Sequence, residues 1–336
     1  MEQRKKEILE AIIKNYIETA EPVGSRTIAR KYELGVSPAT IRNEMSDLEE
    51  LGFIEQPHTS SGRIPSDKGY RYYVDWLMDS YQMSQGEIEY VGKRYAEKVE
   101  QIEEIVERTG QLLSQVTNYV ALVMGPQLKK NYIKDVRLMW LSPGRALMVV
   151  VFQGGMVQHR TIKIPEDIKL SDLERITNIL NSKLEGHAIQ QLKTEMFQEI
   201  YGDMVREKMV LQRIMGVLLN YSREQIHLDG TVNILNQPEF HDVDKLRLLL
   251  TSLEEKSMVK QLLTGHSGTG LAIKIGGENK QQGIDQCSII TATYHIDGEA
   301  AGTIGLLGPT RMTYSKAIAL VQLVTGKLSL VLKDYY

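Results

Sequence analysis

The sequence predicts an α+β protein in which an N-terminal winged helix-turn-helix precedes a split α/β domain carrying a mainly helical insertion. Three observations lead there. The chain up to Gly52 falls into three helix-period segments punctuated by Pro22, Gly24, Gly35, Ser37-Pro38 and Gly52. A short strand, a polar turn and a return strand follow at 53–65. Beyond residue 119, two strand-rich blocks flank a helical one.

The first helix is read from Ile8, Leu9, Ile12, Ile13, Tyr16 and Ile17, which recur on one face, with Arg4, Lys5, Lys6, Glu10 and Lys14 on the others. Ser25 caps a short second helix through about Tyr32, and Gly35 closes it. Ser37 caps the third, with Pro38 at its first position and Ile41, Met45 and Leu48 facing inward. Phe53–Gln56 and Arg63–Pro65 then form a hairpin around His58–Gly62, which is the winged-helix order. A further helix, capped by Ser66 or Asp67, carries Tyr70, Tyr73, Val74 and Leu77.

From Ser84 to Tyr119 a charged helical stretch bears an apolar stripe, broken at Thr109-Gly110. It reads as a connecting helix packed on the next domain or as a dimeric coiled coil; its heptads are irregular. Strands are expected at Val120–Met124, Val136–Leu141, Ala146–Phe152 and Val157–Ile164, then a helix at Ser171–Leu184. Helices at Glu195–Tyr221 and Asp242–Leu263 bracket an extended piece at Gln225–Leu235. Strands return at Leu271–Ile275, Cys287–His295 and Ala300–Leu307 before a final helix near Thr313–Leu332. The resulting boundaries are 1–82, 83–192, 193–264 for the insertion, and 265–336.

The 336 residues suit two or three domains, at roughly 150 residues each. A net charge of −3 excludes a polybasic chain that grips nucleic acid through bulk charge. One cysteine, Cys287, excludes an internal disulfide framework and a multi-cysteine zinc site. Glu7 and Glu10 interrupt any signal-peptide core, and apolar runs such as Ala146–Phe152 fall short of the roughly 20 residues that cross a bilayer. A cytoplasmic location without membrane contact is expected.

Nothing anchors an enzyme. The seven histidines are scattered singly, and neither a GxSxG elbow nor a Walker A loop is present. Gly265–Gly270 is glycine-rich but precedes a strand rather than a helix, so it reads as a domain boundary. Gly276-Gly277-Glu278-Asn279 reads as a loop between strands, with ligand or partner contact as its other possible use. No cofactor, metal or catalytic residue is expected.

The first 82 residues carry a different chemistry. With Ile41, Met45 and Leu48 inward, the outward face of the third helix is Ala39, Thr40, Asn43 and Ser46, with Arg42 at its border. Arginine forks onto guanine and asparagine onto adenine in the major groove. The helix starts at Ser25 and Ser37 suit phosphate, with Arg26 and Thr27 beside the first. The wing residues His58, Thr59, Ser60, Ser61, Gly62 and Arg63 are compact and polar, and Lys68 and Arg71 add cations beyond it. From Pro22 to Tyr73 seven basic residues meet seven acidic ones, yet 22–32, 34–43 and 56–66 contain no carboxylate. Double-stranded DNA is therefore the expected partner.

Four stretches carry a family likeness: Glu21–Thr27, Ser37–Met45, Pro57–Pro65 and Asp67–Asp75. With Ile275–Asn279 and Gly308–Met312, they closely resemble the HrcA family of bacterial heat-inducible transcription repressors. Ser61 and Ser66 stand where that family often has Ala and Thr. The resemblance implies a winged helix, a split GAF-like domain and an inserted dimerisation domain. It further implies a homodimer that represses chaperone operons from the inverted-repeat CIRCE operator, with the GroE chaperonin as modulator. Two alternatives are a winged-helix regulator gated by a small molecule in the GAF-like domain and an RNA-binding or interaction module.

Overall fold

The computed structural model describes residues 1–57, 62–96, 102–126, 132–153, 157–189, 192, 208–222, 226–265, 270–281 and 283–335. The chain divides into two compact units. The first is Met1–Gly125, Ile226–His295 and Gly302–Leu330; the second is Pro126–Gln225, Ile296–Ala301 and Val331–Tyr336.

The first unit opens with the expected winged helix. Helix α1 (Gln3–Thr19) buries Ile8, Leu9, Ile12 and Ile13 and stops at Ala20, whose left-handed backbone (φ 55°) donates to the Tyr16 carbonyl. Helix α2 (Ser25–Lys31) buries Ile28. Helix α3 (Pro38–Glu50) buries Ile41, Met45 and Leu48, and the Ser37 hydroxyl accepts from the Thr40 N–H at 3.1 Å. Strands β1 (Ile54–Glu55) and β2 (Ile64–Pro65) pair antiparallel. Helix α4 (Asp67–Tyr72) is capped by Ser66 and runs into a single π-helical turn, Tyr73–Leu77. Tyr70 and Tyr73 are core residues, whereas Tyr72 is half-buried and stands edge-on to Phe53 with ring centroids 5.3 Å apart.

Helices α5 (Gln85–Ala96) and α6 (Ile102–Thr117) follow. The apolar face of α6 is spent inside this unit. Gly110 lies against Asp229 and Val123, where a Cβ would find ordinary van der Waals contact, and the helix passes through Thr109-Gly110 without the expected break. Thr109 instead donates to the Ile105 carbonyl and meets the Tyr95 hydroxyl at 2.7 Å. That disposition fits a packed connecting helix and leaves little of α6 for a coiled coil.

A five-stranded sheet is the centre of the unit, in the order β7-β3-β10-β9-β8. Its strands are β3 (Val120–Met124), β7 (Ile226–Asp229), β8 (Leu271–Ile275), β9 (Cys287–Ile296) and β10 (Glu299–Pro309). Strand β3 is buried along its whole length, as its unbroken apolar run requires. Helices α9 (Val243–Glu254) and α10 (Lys256–Thr264) close one core over the sheet, with Leu249, Leu253, Val259, Leu262 and Leu263 meeting Val120, Leu122, Ile289 and Leu307. Cys287 belongs to this core, and burial pushes its thiol up to about 12.

The second unit holds a three-stranded antiparallel sheet of β4 (Ile133–Ser142), β5 (Arg145–Phe152) and β6 (Val157–Lys163). Helix α7 (Leu170–Leu184) lays Leu173, Ile176, Leu180 and Leu184 on it, and its Asn181 amide bonds both backbone groups of Val136. Helix α8 (Lys208–Ser222) completes the described part.

Three expectations change. The segment 193–264 is not one inserted piece, because β7, α9 and α10 belong to the first unit and the second spans 126–225 with two short returns. The strand block 120–164 also divides, β3 joining one sheet and β4–β6 forming another. The expected single helix Asp242–Leu263 is two, parted at Glu255. Local periodicity reports an element's type; which sheet a four-residue strand enters is decided by long-range pairing.

The last helix, α11 (Tyr314–Lys333), is long and apolar enough by length and composition to cross a membrane, contrary to the expectation from the shorter runs. In the fold, Tyr314, Ala317, Val321, Val324 and Leu328 are buried at helical spacing, and Ser329 accepts from the His295 N–H at 3.1 Å. One face of the helix is thus packed inside the fold.

Candidate nucleic-acid interface

Burying Ile41, Met45 and Leu48 turns the opposite face of α3 outward. Ala39, Arg42, Asn43 and Ser46 are exposed and Thr40 is half-buried, its hydroxyl 3.0 Å from that of Ser37. Arg26 and Thr27 are exposed on α2, with Ser25 half-buried at its start. This is the arrangement by which a helix presents its N-terminal side chains to base edges while a neighbouring helix end meets the backbone.

The wing is held by backbone pairing. Val23, between α1 and α2, exchanges both hydrogen bonds with Arg63, at 2.8 and 2.9 Å. Ser66 ties the base of the hairpin by donating its hydroxyl to the Gly52 carbonyl at 2.7 Å and its N–H to Phe53 at 3.1 Å. Gly69 is required by close approach, since a Cβ there would overlap the Phe53 carbonyl. His58, Thr59, Ser60 and Ser61 lie outside the described residues.

Three acids of α3 are engaged by this module's own cations. Lys5 reaches Glu44 at 3.1 Å and Asp47 at 3.0 Å, Arg4 lies 3.7 Å from Glu44, and Arg63 forks onto Glu49 at 2.7 and 2.8 Å. The hydrogen bonds to Asp47 and then Glu44 raise the Lys5 pKa. Three of the four carboxylates on the C-terminal half of α3 are thus paired within the fold, which lowers their repulsion of a phosphate backbone.

Three cations expected at this interface are occupied elsewhere. Arg63 serves Glu49 as well as the wing. Lys68 donates to the Leu51 carbonyl at 2.7 Å and sits 4.7 Å from the centre of the Phe53 ring. Arg71 bonds Glu278 and Asp75 rather than facing outward with α3. Burial alone would push the Glu278 carboxyl up, but the bonds from Arg71 and the Ile275 N–H outweigh it and hold that group down. Local periodicity does not reveal such partners; for the distant one, Glu278, the motif Ile275–Asn279 was the trace in the sequence.

A winged helix that presents Arg42 and Asn43 on an exposed recognition helix defines a DNA-binding regulator, and comparison with known proteins narrows the class. Residues 1–74 match the family model "Winged helix-turn-helix transcription repressor, HrcA DNA-binding", and residues 103–318 match "HrcA protein C terminal domain". The chain is 47% identical to the heat-inducible transcription repressor HrcA of Pelotomaculum thermopropionicum, over 99% of this chain and 97% of that one. It is 42% identical to that of Brevibacillus brevis, over 100% and 99%. A 2.2 Å crystal structure of a hypothetical protein shares the fold over the full length of both chains, with a TM-score of 0.73 at 24% identity. The chain belongs to the HrcA family of heat-inducible transcription repressors. It is a DNA-binding regulator and not an enzyme.

Proposed function

We propose that this chain acts in the cytoplasm as a homodimer that represses chaperone operons by binding the inverted-repeat CIRCE operator, with the GroE chaperonin modulating its activity. Membership of the family supports the operator and the chaperonin. The observation that carries the DNA-reading assignment is the exposure of Asn43 opposite the buried Ile41–Met45–Leu48 face of α3, with Arg42 exposed at the border of that face. Arg42, Asn43 and Ser46 read base edges, while Ser25, Arg26, Thr27, Ser37, Ala39 and Thr40 seat phosphates. The wing residues 58–63 follow the adjacent groove. Two recognition helices related by a two-fold axis suit a palindrome, and doubling the contacts compensates for a near-neutral module.

The five-stranded sheet is the GAF-like regulatory part in this reading, and the inserted second unit is the dimerisation element. Met139, Trp140 and Leu141, consecutive on β4 and each about half exposed, support the latter. A mobility-shift titration tests the proposal. A palindromic duplex should be bound in preference to a scrambled duplex and to single-stranded RNA, and more tightly when chaperonin is added. Equal affinity for all three nucleic acids would sink it. A response to a small molecule in pure protein, with none to chaperonin, would favour ligand gating instead.

A further inference from the structure

We infer that Asp67, Arg71 and Glu278 are positioning residues for DNA reading: they fix the orientation of the winged helix on the sheet domain and thereby set the half-site spacing the protein accepts. The inference rests on the reading of a dimer on an inverted repeat.

Helix α4 is fastened along its length to the turn Gly276–Asn279. At its start the Asp67 carboxylate accepts the Gly277 N–H at 2.8 Å. Gly276 has φ +52° and its Cα faces that carboxylate so closely that a Cβ would overlap it, so the position excludes side chains on two counts. One turn further on, Arg71 gives Nε to Glu278 Oε1 at 2.9 Å and Nη2 to Oε2 at 2.5 Å, and a further bond from Nη2 reaches the Ile273 carbonyl at 2.7 Å. Glu278 is itself aimed by the Ile275 N–H at 2.9 Å. A separate attachment holds α1, where Arg311 donates to the Ile17 carbonyl at 3.2 Å while bonded to Gln237 and Glu239.

The side chains of Arg71 and Glu278 are 30% and 38% exposed, so the pair adds little to stability. Its value is directional. A bidentate guanidinium–carboxylate fork admits one approach, and anchorage of two helices removes the swivel that a single linker leaves. A dimer gains from its second half-site only to the extent that the second head is already placed over it. Loosening α4 should therefore cost affinity at the preferred spacing and blunt the preference itself.

The test uses the full-length chain with Arg71→Leu, Asp67→Ala, and the exchanged pair Arg71→Glu with Glu278→Arg. Each is titrated against an isolated half-site and against palindromes at the preferred spacing and offset by about half a helical turn (~5 base pairs). Arg71→Leu and Asp67→Ala should lose about tenfold at the preferred spacing, flatten the spacing profile and leave half-site affinity unchanged, with the exchanged pair regaining part of the preference. Melting curves verify that the winged helix is folded. A wild-type spacing profile in both single variants overturns the inference, as does an equal loss on half-site and palindromes, which would mark Arg71 as a phosphate contact. A wild-type chain indifferent to spacing would instead overturn the inverted-repeat reading.

Discussion

Gly62 and Val23 run so close together that a Cβ at position 62 would lie 2.6 Å from both the carbonyl carbon and the carbonyl oxygen of Val23. The neighbouring Arg63 shares two backbone hydrogen bonds with Val23, so the return limb of the wing is laced to the connection between α1 and α2. Gly62→Ala must push these backbones apart. We expect a loss of about 1–3 kcal/mol in winged-helix stability, the usual range for overpacking, together with weaker operator binding. Denaturant unfolding checks the first, and a variant as stable as wild type would refute the contact's importance.

The outward face of α3 predicts a separation of effects. Arg42→Ala and Asn43→Ala should each cost about 1–3 kcal/mol on operator DNA and relax sequence preference, with little change on random DNA. Competition titrations with scrambled duplex give the measurement; parallel losses on both would remove these residues from base reading.

Arg26 and Arg63 should differ in salt dependence. Arg26 is exposed on α2, whereas the Arg63 guanidinium is held by Glu49 at 2.7 Å. Arg26→Ala should lower the slope of log affinity against log salt by about one, and Arg63→Ala by clearly less. Affinities across a salt series settle the order, and equal slopes would show that DNA draws Arg63 off Glu49.

Glu87 supplies a pH prediction. Its carboxylate accepts the Ser84 N–H at 3.0 Å and pairs with Lys316 at 3.0 Å, which together bring its pKa down to about 2. A lowered folded-state value means stabilisation that is full above the unfolded carboxylate range. It drains as pH falls from about 4.5, the group's ordinary value, toward about 2. Glu87→Gln should therefore lower the melting temperature at neutral pH, and the difference from wild type should close on acidification. A gap that stays constant down to the acid limit would contradict the assignment.

Much of the winged helix was legible because its signals are local. Ser37 with Pro38 marks a helix start, Ile41, Met45 and Leu48 mark its inner face, and each acts within a few residues of itself. The outward residues of α3 follow from that periodicity without further information. The cations did not yield to the same reasoning. Arg63 finds Glu49 fourteen residues back, and Arg71 finds Glu278 207 residues further along the chain, so tertiary geometry decides whether either is available. The misplaced insertion has the same origin. Ile226–Asp229 is a four-residue strand among helices, and its sequence does not name β3 as its partner.

That pairing bears on how the chain came to carry two units. Met124 and Ile226 face each other across β3 and β7, neighbouring strands about 4.8 Å apart. Residues from Gly125 to Gln225 therefore depart and come back at a single seam, where a two-residue Asn-Gly turn would satisfy the geometry. Topologically the stretch 125–225 is an insertion between two paired strands, and excising it should leave the β3–β7 register intact. During synthesis the same feature imposes an order: β7 can zip onto β3 only after the insertion has emerged, making this edge of the sheet a late closure.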